Sequence, residues 1–378
     1  MTAHRDAWAE IDLGALQDNV RTFLELIGPQ TQFMAVVKAD AYGHGAIPCA
    51  KAALEAGASW LGVATADEAL ELRAAGLEAP ILVFAEVPPA ALAELIAAGV
   101  DLTASSRDFL QAASREAAAL DALARFHLKV DTGMHRIGVA PEDAAGILLE
   151  AAELPALELA GVFTHFATAD VEGDWDAALQ LRRFEQALAA IRTADIAIPL
   201  VHAANSAATV LIPEARFDMV RVGISLYGLY ASEDTPRHIA LRPVMSVKAR
   251  ATLLKTIATG EGVSYGLTWR APVPTRIATL PLGYADGMPR RLSNRAEFLL
   301  ERDGRRVEQV GRICMDQLMA EIPERAPIEV GDTFVVIGQN EAGDDEITVE
   351  WYAKAADSIE HEITIGFGNR LEKVYIKG

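Results

Sequence analysis

Apolar and polar positions alternate between two textures along the first two thirds of this chain. Short runs rich in Val, Leu and Phe are each followed by an alanine- and leucine-rich stretch, at spacings that suit βα units. The strand-like runs are 34–39 (MAVVKA), 60–65 (WLGVAT), 80–85 (PILVFA), 100–104 (VDLTA), 126–130 (FHLKV), 159–166 (LAGVFTHF), 199–203 (PLVHA) and 218–226 (DMVRVGISL). Helical stretches between them include 44–56, 66–75, 88–98 and 175–191. Eight such units with no extended break predict a (βα)8 TIM-type barrel rather than an open doubly wound sheet. No GxGxxG follows the first run to argue for a dinucleotide fold.

Past about residue 240 Pro and Gly become frequent, and strand-like segments at 245–254, 275–280, 306–310 and 333–337 lie between turns, with little helix before 348–359. The expected organisation is a barrel over residues 1–240 and a mainly β domain over 241–378. A strand-like 7–12 run precedes a helix over 13–26, so residues 1–12 are a candidate addition to the β domain.

Composition narrows the function. A length of 378 residues with 51% hydrophobic content supports full cores, and the 17 prolines are spread without a linker-like tract. A net charge of -19 argues against nucleic acid and anionic membrane as partners, since both reward basic patches. Cys49 and Cys314 form no framework and no CxxC, which suits a reducing compartment. Eight scattered histidines with no HExxH or paired ligand set indicate no metal site. The opening MTAHRDAW lacks the apolar core of a secretory signal, and no segment is long and apolar enough to span a bilayer. A soluble cytoplasmic protein acting on a small molecule is expected.

Lys38 closes the apolar run Met34-Ala35-Val36-Val37, and a glycine-rich turn through Gly45 follows it. An ammonium half-withdrawn from water at a strand end has a lowered pKa, which makes the amine available to attack an aldehyde. The plainer reading is a lysine that snorkels out of a strand. The positions at the C-terminal ends of the other strands decide between them, because that is where a barrel places its active site. Lys129, Asp131 and Arg136 follow the fifth run, His165 the sixth, Asn205 and Ser206 the seventh, and Arg221, Gly223 and Ile224 end the eighth. Asn205-Ser206 opens a helix whose N–H groups and hydroxyl can bind an anion, although Asn-Ser alone is ordinary N-capping. Gly223 lets backbone approach the same anion from the neighbouring strand. A lysine amine facing a phosphate cradle across a barrel mouth points to pyridoxal phosphate.

Residues 35–45 (AVVKADAYGHG) resemble the pyridoxal-phosphate attachment motif of the bacterial alanine racemases. The resemblance continues, in order and spacing, through 129–138 (KVDTGMHRIG), 164–167 (THFA), 202–208 (HAANSAA), 221–228 (RVGISLYG), 263–266 (VSYG), 283–287 (GYADG) and 313–317 (ICMDQ). It implies a homodimer with shared active sites and the interconversion of L- and D-alanine, supplying D-alanine for peptidoglycan. Carried over by position, it implies that Lys38 forms the aldimine and is the base for the D-enantiomer, while Tyr265 is the opposing base for the L-enantiomer and reaches the other protomer's barrel. Tyr265 and Met315 would otherwise read as packing residues.

The same resemblance implies that Arg221 meets the pyridine nitrogen, and that His165 links Arg221 to the tyrosine. An ion pair of Arg221 with Asp218 is the structural alternative. Tyr42, Asn205, Ser206, Gly223 and Ile224 are assigned to the cofactor, chiefly its phosphate. Arg136 steadies the tyrosine and the substrate carboxylate, which the Met315 N–H also meets from the partner subunit. Lys129 matches a lysine that some relatives carry as a carbamate, and an ion pair with Asp131 stands beside that reading. Where some relatives have a tyrosine near the C-terminus, this chain has Asn369. A broader-specificity amino-acid racemase is the near alternative. A non-catalytic pyridoxal-phosphate protein is disfavoured by the second domain and Tyr265, and a metal-assisted aldolase by a β domain whose one histidine is His361.

Overall fold

The computed structural model describes residues 5–323 and 326–377. Residues 1–4 of the opening segment, read above as carrying no secretory signal, lie outside them. After strand β1 (Ala7–Asp12) and the helix Leu13–Ile27 come eight strands: β2 (Gln32–Val36), β3 (Trp60–Val63), β4 (Ile81–Val83), β5 (Leu102–Ala104), β6 (Ala124–Lys129), β7 (Leu157–Phe163), β8 (Val201–His202) and β9 (Met219–Val222). They form one parallel sheet in the order β4-β3-β2-β9-β8-β7-β6-β5. A further parallel bridge, Leu82 with Asp101, joins its two edges through Val83 N–H to Asp101 O (3.1 Å) and Asp101 N–H to Ile81 O (2.9 Å), so the sheet curls into a barrel. Five of these strands, β3, β4, β5, β8 and β9, are buried at every position, the pattern of a parallel sheet covered on both faces. Met34, Trp60, Leu82, Leu200 and Met219 fill part of its core.

The helices begin where the sequence offers capping groups. Thr65 accepts from the Glu68 N–H while Glu68 accepts from Thr65, a capping box for Ala66–Ala74. Ser106 caps Arg107–Ala119 by accepting from the Phe109 N–H, and Asp174 caps Trp175–Thr193 by accepting from the Ala177 N–H.

Two compact units divide the chain: residues 16–41 with 46–242, which hold the barrel, and residues 1–15, 42–45 and 243–378. The second is mainly β. Its seven-stranded sheet runs Arg306–Glu308, Glu297–Leu300, Thr333–Gln339, Met245–Arg250, β1 and Glu372–Ile376, with Glu346–Ile347 paired to Thr333–Gln339. Alternate burial along β1 and Met245–Arg250 marks one face turned to a core. A three-stranded sheet, Leu253–Ile257, Thr275–Leu280 and Leu318–Ile322, and the helices Val349–Ala355 and Glu360–Gly366 complete it. The segment read as a single helix over 348–359 is thus two short helices, broken around residues 356–359, where Asp357 takes a left-handed φ of 49°.

One correction concerns the first barrel strand, expected to run to residue 39. It stops at Val36, and Ala39, Asp40, Ala41 and Tyr42 follow with φ of 52–54°, a left-handed turn without a glycine. Each such residue costs roughly 1–2 kcal/mol, so neighbours must hold the turn. Ala41 N–H donates to Val37 O (2.9 Å), Ala39 N–H to Glu68 Oε1 (2.6 Å), and Asp40 Oδ1 accepts from Ala46 N–H (2.7 Å).

Candidate active site

Lys38 opens that left-handed turn, directly past the end of β2. Burial lowers the pKa of its amine, and the nearby Arg136 guanidinium lowers it further against the opposing charge of Glu68. The backbone strain sits beside this amine, where a functional constraint is the usual reason to retain it.

Arg221, on β9, is buried and donates in several directions. Its Nη2 reaches Thr164 O (2.8 Å), Ala203 O (2.9 Å) and His165 Nδ1 (3.2 Å), and its Nη1 reaches His202 Nδ1 (3.1 Å). The alternative ion pair with Asp218 does not form, because Asp218 Oδ2 accepts the Val201 N–H at 2.7 Å. Burial pushes the Arg221 guanidinium down to about 9, helped by Arg136, which leaves it protonated at neutral pH. His165 is driven well below its usual range by burial and by the charges of Arg221, Lys129, Arg136 and Lys38, so its imidazole is neutral.

Lys129 ends β6, its Nζ 4.9 Å from the centre of the Phe163 ring. Burial, then Arg221 and Arg136, hold its pKa well below that of a free amine, Asp131 opposing. The alternative Lys129–Asp131 ion pair is absent among the described residues. Asp131 instead accepts from the N–H groups of Gly133 and His135 and from the His135 ring. Two lysines and two arginines thus converge on the C-terminal side of the barrel, in a chain that is strongly acidic overall.

On the neighbouring strands, Ser206 Oγ accepts the Gly223 N–H at 2.9 Å, which leaves its O–H to donate to an anion. Asn205 caps Ser206–Leu211, its Oδ1 accepting from Ala208 N–H at 2.9 Å, so ordinary capping occupies that oxygen. Ile224 begins a 3-10 turn that ends at Tyr227, whose hydroxyl donates to Val36 O and ties the turn to β2. The Ser206 hydroxyl and the N–H of Ile224 in the turn beyond Gly223, beside a cluster of cations, form a donor set that suits a phosphate, while the Gly223 N–H itself is taken by Ser206.

The remaining candidates belong to the other unit. Tyr42 is buried with its ring 5.6 Å from that of His361. Tyr265 is 70% exposed and Met315 52% exposed, so neither is the core residue that its sequence alone suggested. Ser264, just before Tyr265, takes φ 63° and ψ −173°, a region essentially reserved for glycine. Its hydroxyl donates to Arg312 O (2.6 Å) and lies 3.2 Å from Cys314 Sγ. Met315 O accepts from Ala285 N–H, while its own N–H has no acceptor among the described residues. Arg5 and Gly283 N–H hold the buried Asp286 carboxylate, and Arg5 also reaches Asp316 O (2.9 Å), fastening this loop. Asn369 is exposed and accepts from Lys373.

Sequence reasoning missed His127 and His202, which lie inside the barrel, because histidines in apolar strands read as isolated polar interruptions. It also missed the Thr164 carbonyl that orients Arg221.

Comparison with known proteins assigns the family. The model of the alanine racemase N-terminal domain matches residues 11–231 and that of the alanine racemase C-terminal domain matches residues 244–375. The chain belongs to the alanine racemase family. The alanine racemase of Symbiobacterium thermophilum is 45% identical over 371 residues, covering 98% of this chain and 97% of that protein. Among solved structures, alanine racemase from Bacillus anthracis with bound L-Ala-P superimposes with a TM-score of 0.93 at 37% identity, covering 100% of this chain and 96% of that one. A histidine racemase from Leuconostoc mesenteroides is also similar, with a TM-score of 0.90, 30% identity and 99% coverage of both chains. The barrel followed by a mainly β domain is the alanine racemase fold, and the chain is an isomerase.

Proposed function

We propose that this alanine racemase works with two bases, Lys38 and Tyr265, on pyridoxal 5'-phosphate held at the barrel mouth. The observation that carries the reading is the cluster of Lys38, Lys129, Arg136 and Arg221 around a neutral His165, beside the Ser206–Ile224 donor set. Lys38 would hold the cofactor covalently. Ser206, Tyr42 and the Ile224 N–H would take its phosphate, with Gly223 allowing the close backbone approach while its own N–H steadies Ser206, and Asn205 shaping the helix start. When bound, the cofactor supplies an electron sink for the substrate's α-carbon.

Lys38 Nζ removes the α-proton of D-alanine, and Tyr265 Oη that of L-alanine; each returns a proton when the other has taken one. Arg221 offers only donors and does not give up a proton at neutral pH, so it would hold a cofactor ring nitrogen by donating a hydrogen bond without protonating it. Arg136 and the Met315 N–H would hold the substrate carboxylate. Tyr265 and Met315 are exposed on the unit that does not contain Lys38, and in this reading they serve the partner subunit of a homodimer. A lowered Lys129 amine that forms no ion pair among the described residues suits carbamate formation, which would give Arg136 an anionic partner. We place the protein in the cytoplasm, supplying D-alanine for peptidoglycan, with no nucleic-acid or membrane partner. No helix among the described residues is long and apolar enough to cross a membrane.

A coupled assay for D-alanine formed from L-alanine, run beside L-serine and L-histidine, tests this. Alanine turnover far above the other two is expected. Equal turnover of serine or histidine would replace the reading with a racemase of broader specificity.

A further inference from the structure

Arg221 lacks an adjacent counter-ion: no carboxylate lies within ion-pair distance of it among the described residues. A carboxylate, ion-paired with Arg125 at 3.0 Å, ends a hydrogen-bond chain three links away. Arg221 Nη1 lies 3.1 Å from His202 Nδ1, His202 Nε2 lies 2.9 Å from His127 Nδ1, and His127 Nε2 lies 3.2 Å from Asp101 Oδ2. All four residues are buried, both histidines completely.

Donor chemistry gives this chain one direction. A guanidinium can only donate, so His202 Nδ1 must accept and its proton must sit on Nε2. His127 Nδ1 then accepts that proton's bond, and His127 carries its own proton on Nε2, pointing at a carboxylate that can only accept. Every link is satisfied in this arrangement and in no other with neutral imidazoles. Burial opposes ionisation of Asp101, but bonds from His127 and Arg125 outweigh it and keep the carboxyl below its usual range. Burial likewise lowers both histidines, so they remain neutral.

The barrel is built around the chain. β6 and β7 slip register between Phe126 and His127, a bulge that re-aims the strand at that residue. Gly161 faces His127, and a Cβ there would come within 2.5 Å of its Nδ1. Phe163 stacks flat on His202 at 4.8 Å, and Trp60 meets His127 edge-on at 5.5 Å. Asp101 is also the residue whose backbone bridges the edges of the sheet.

We propose that Asp101, itself ion-paired with Arg125 (3.0 Å), is the final acceptor of a hydrogen-bond chain through His127 and His202 that orients the Arg221 guanidinium, which makes these three positioning residues for the arginine facing the cofactor ring. The proposal rests on the reading of Arg221 given above. Partners behind a metal-ligating histidine fix its tautomer and direction and their loss costs about 10–100-fold, the magnitude expected here for the partners behind Arg221.

The first test needs no variant. Long-range 1H–15N spectra of the 15N-histidine-labelled wild-type protein should show His127 and His202 each as the neutral Nε2–H tautomer, with neither titrating across neutral pH. Finding either as Nδ1–H or as imidazolium overturns the chain. Asp101→Asn, His202→Leu and His202→Gln are then compared with Arg221→Lys for cofactor dissociation constant, visible absorption of the loaded protein, kcat and KM. Asp101→Asn and His202→Leu should lower kcat by about 10–100-fold with little change in KM and shift the absorption band. His202→Gln should recover most of the loss, since an amide can accept from Arg221 and donate to His127. If Asp101→Asn matches wild type in all four, or His202→Gln is no better than His202→Leu, the positioning role is refuted. Were Arg221→Lys itself to leave cofactor affinity and absorption unchanged, the reading of Arg221 would fall and this role with it.

Discussion

Adding one methyl group at Gly161 tests whether the interior of the barrel is as tightly specified as its contacts indicate. A Cβ at Gly161 would lie 2.5 Å from His127 Nδ1, 2.9 Å from His127 Cε1 and 2.7 Å from Leu200 O. None of these can move aside cheaply. His127 is bonded on both ring nitrogens, and Leu200 O accepts the Val162 N–H at 2.8 Å. Overpacking of this kind typically costs about 1–3 kcal/mol. Gly146 makes the matched control, because it lies inside the helix Ala144–Ala152 and an added Cβ meets nothing within 4 Å. There Gly→Ala should stabilise by about 0.5–1 kcal/mol through helix propensity and chain entropy. With a urea m-value of about 3 kcal/mol/M, Gly161→Ala should lower the unfolding midpoint by roughly 0.3–1 M and Gly146→Ala should raise it by roughly 0.2–0.3 M. Equilibrium denaturation followed by tryptophan fluorescence and far-UV circular dichroism reads both. A Gly161→Ala protein as stable as wild type, or two variants shifting in the same direction, would refute the packing argument and with it the idea that Gly161 makes room for His127.

Borohydride reduction of the purified protein, followed by peptide mapping, should place the label on Lys38; label on Lys129 or Lys51 would remove Lys38 from its role. Inactive Lys38→Ala and Tyr265→Phe chains, mixed under conditions of demonstrated subunit exchange, should regain activity, because a hybrid dimer holds one site with both bases; continued silence would exclude shared sites. Tyr265→Ala should impair racemisation in both directions yet still wash the α-proton of D-alanine into deuterated water, while L-alanine keeps its proton, and equal exchange from both enantiomers would mean one base serves both faces. Lys129, with a folded pKa held well below 10.5 by burial, gives a pH test. A lowered amine pKa means the folded state binds fewer protons than the unfolded chain, so this group destabilises at neutral pH and the penalty fades as pH rises through and above the unfolded value. In CO2-free buffer without cofactor, Lys129→Met should therefore be more stable than wild type near neutrality, with the advantage shrinking towards pH 10.5; a constant difference would refute the burial argument.

The alternation of apolar runs and amphipathic stretches was sufficient for the barrel, because strands covered on both faces by helices must be nearly continuous in apolar residues. All eight strands lie within or beside the runs that the pattern marked, and the residues gathered around Arg221 could be placed at strand ends by counting. The turn at Ala39–Tyr42 could not be read this way. Ala-Asp-Ala-Tyr carries no glycine and favours right-handed backbone, and the bonds that help hold it left-handed include those with Glu68, from the next βα unit, and with Ala46, from the helix that follows. The same holds for the pairing of β1 with Met245–Arg250 and Glu372–Ile376, since register between segments more than two hundred residues apart leaves no local trace. Asp101, His127, His202 and Arg221 come from four different strands or strand entrances, and apart from Arg221 each alone is an ordinary polar residue in an apolar run. Closure of the sheet brings them into line, and burial turns their alignment into a requirement, because a polar group removed from water must find its partner inside.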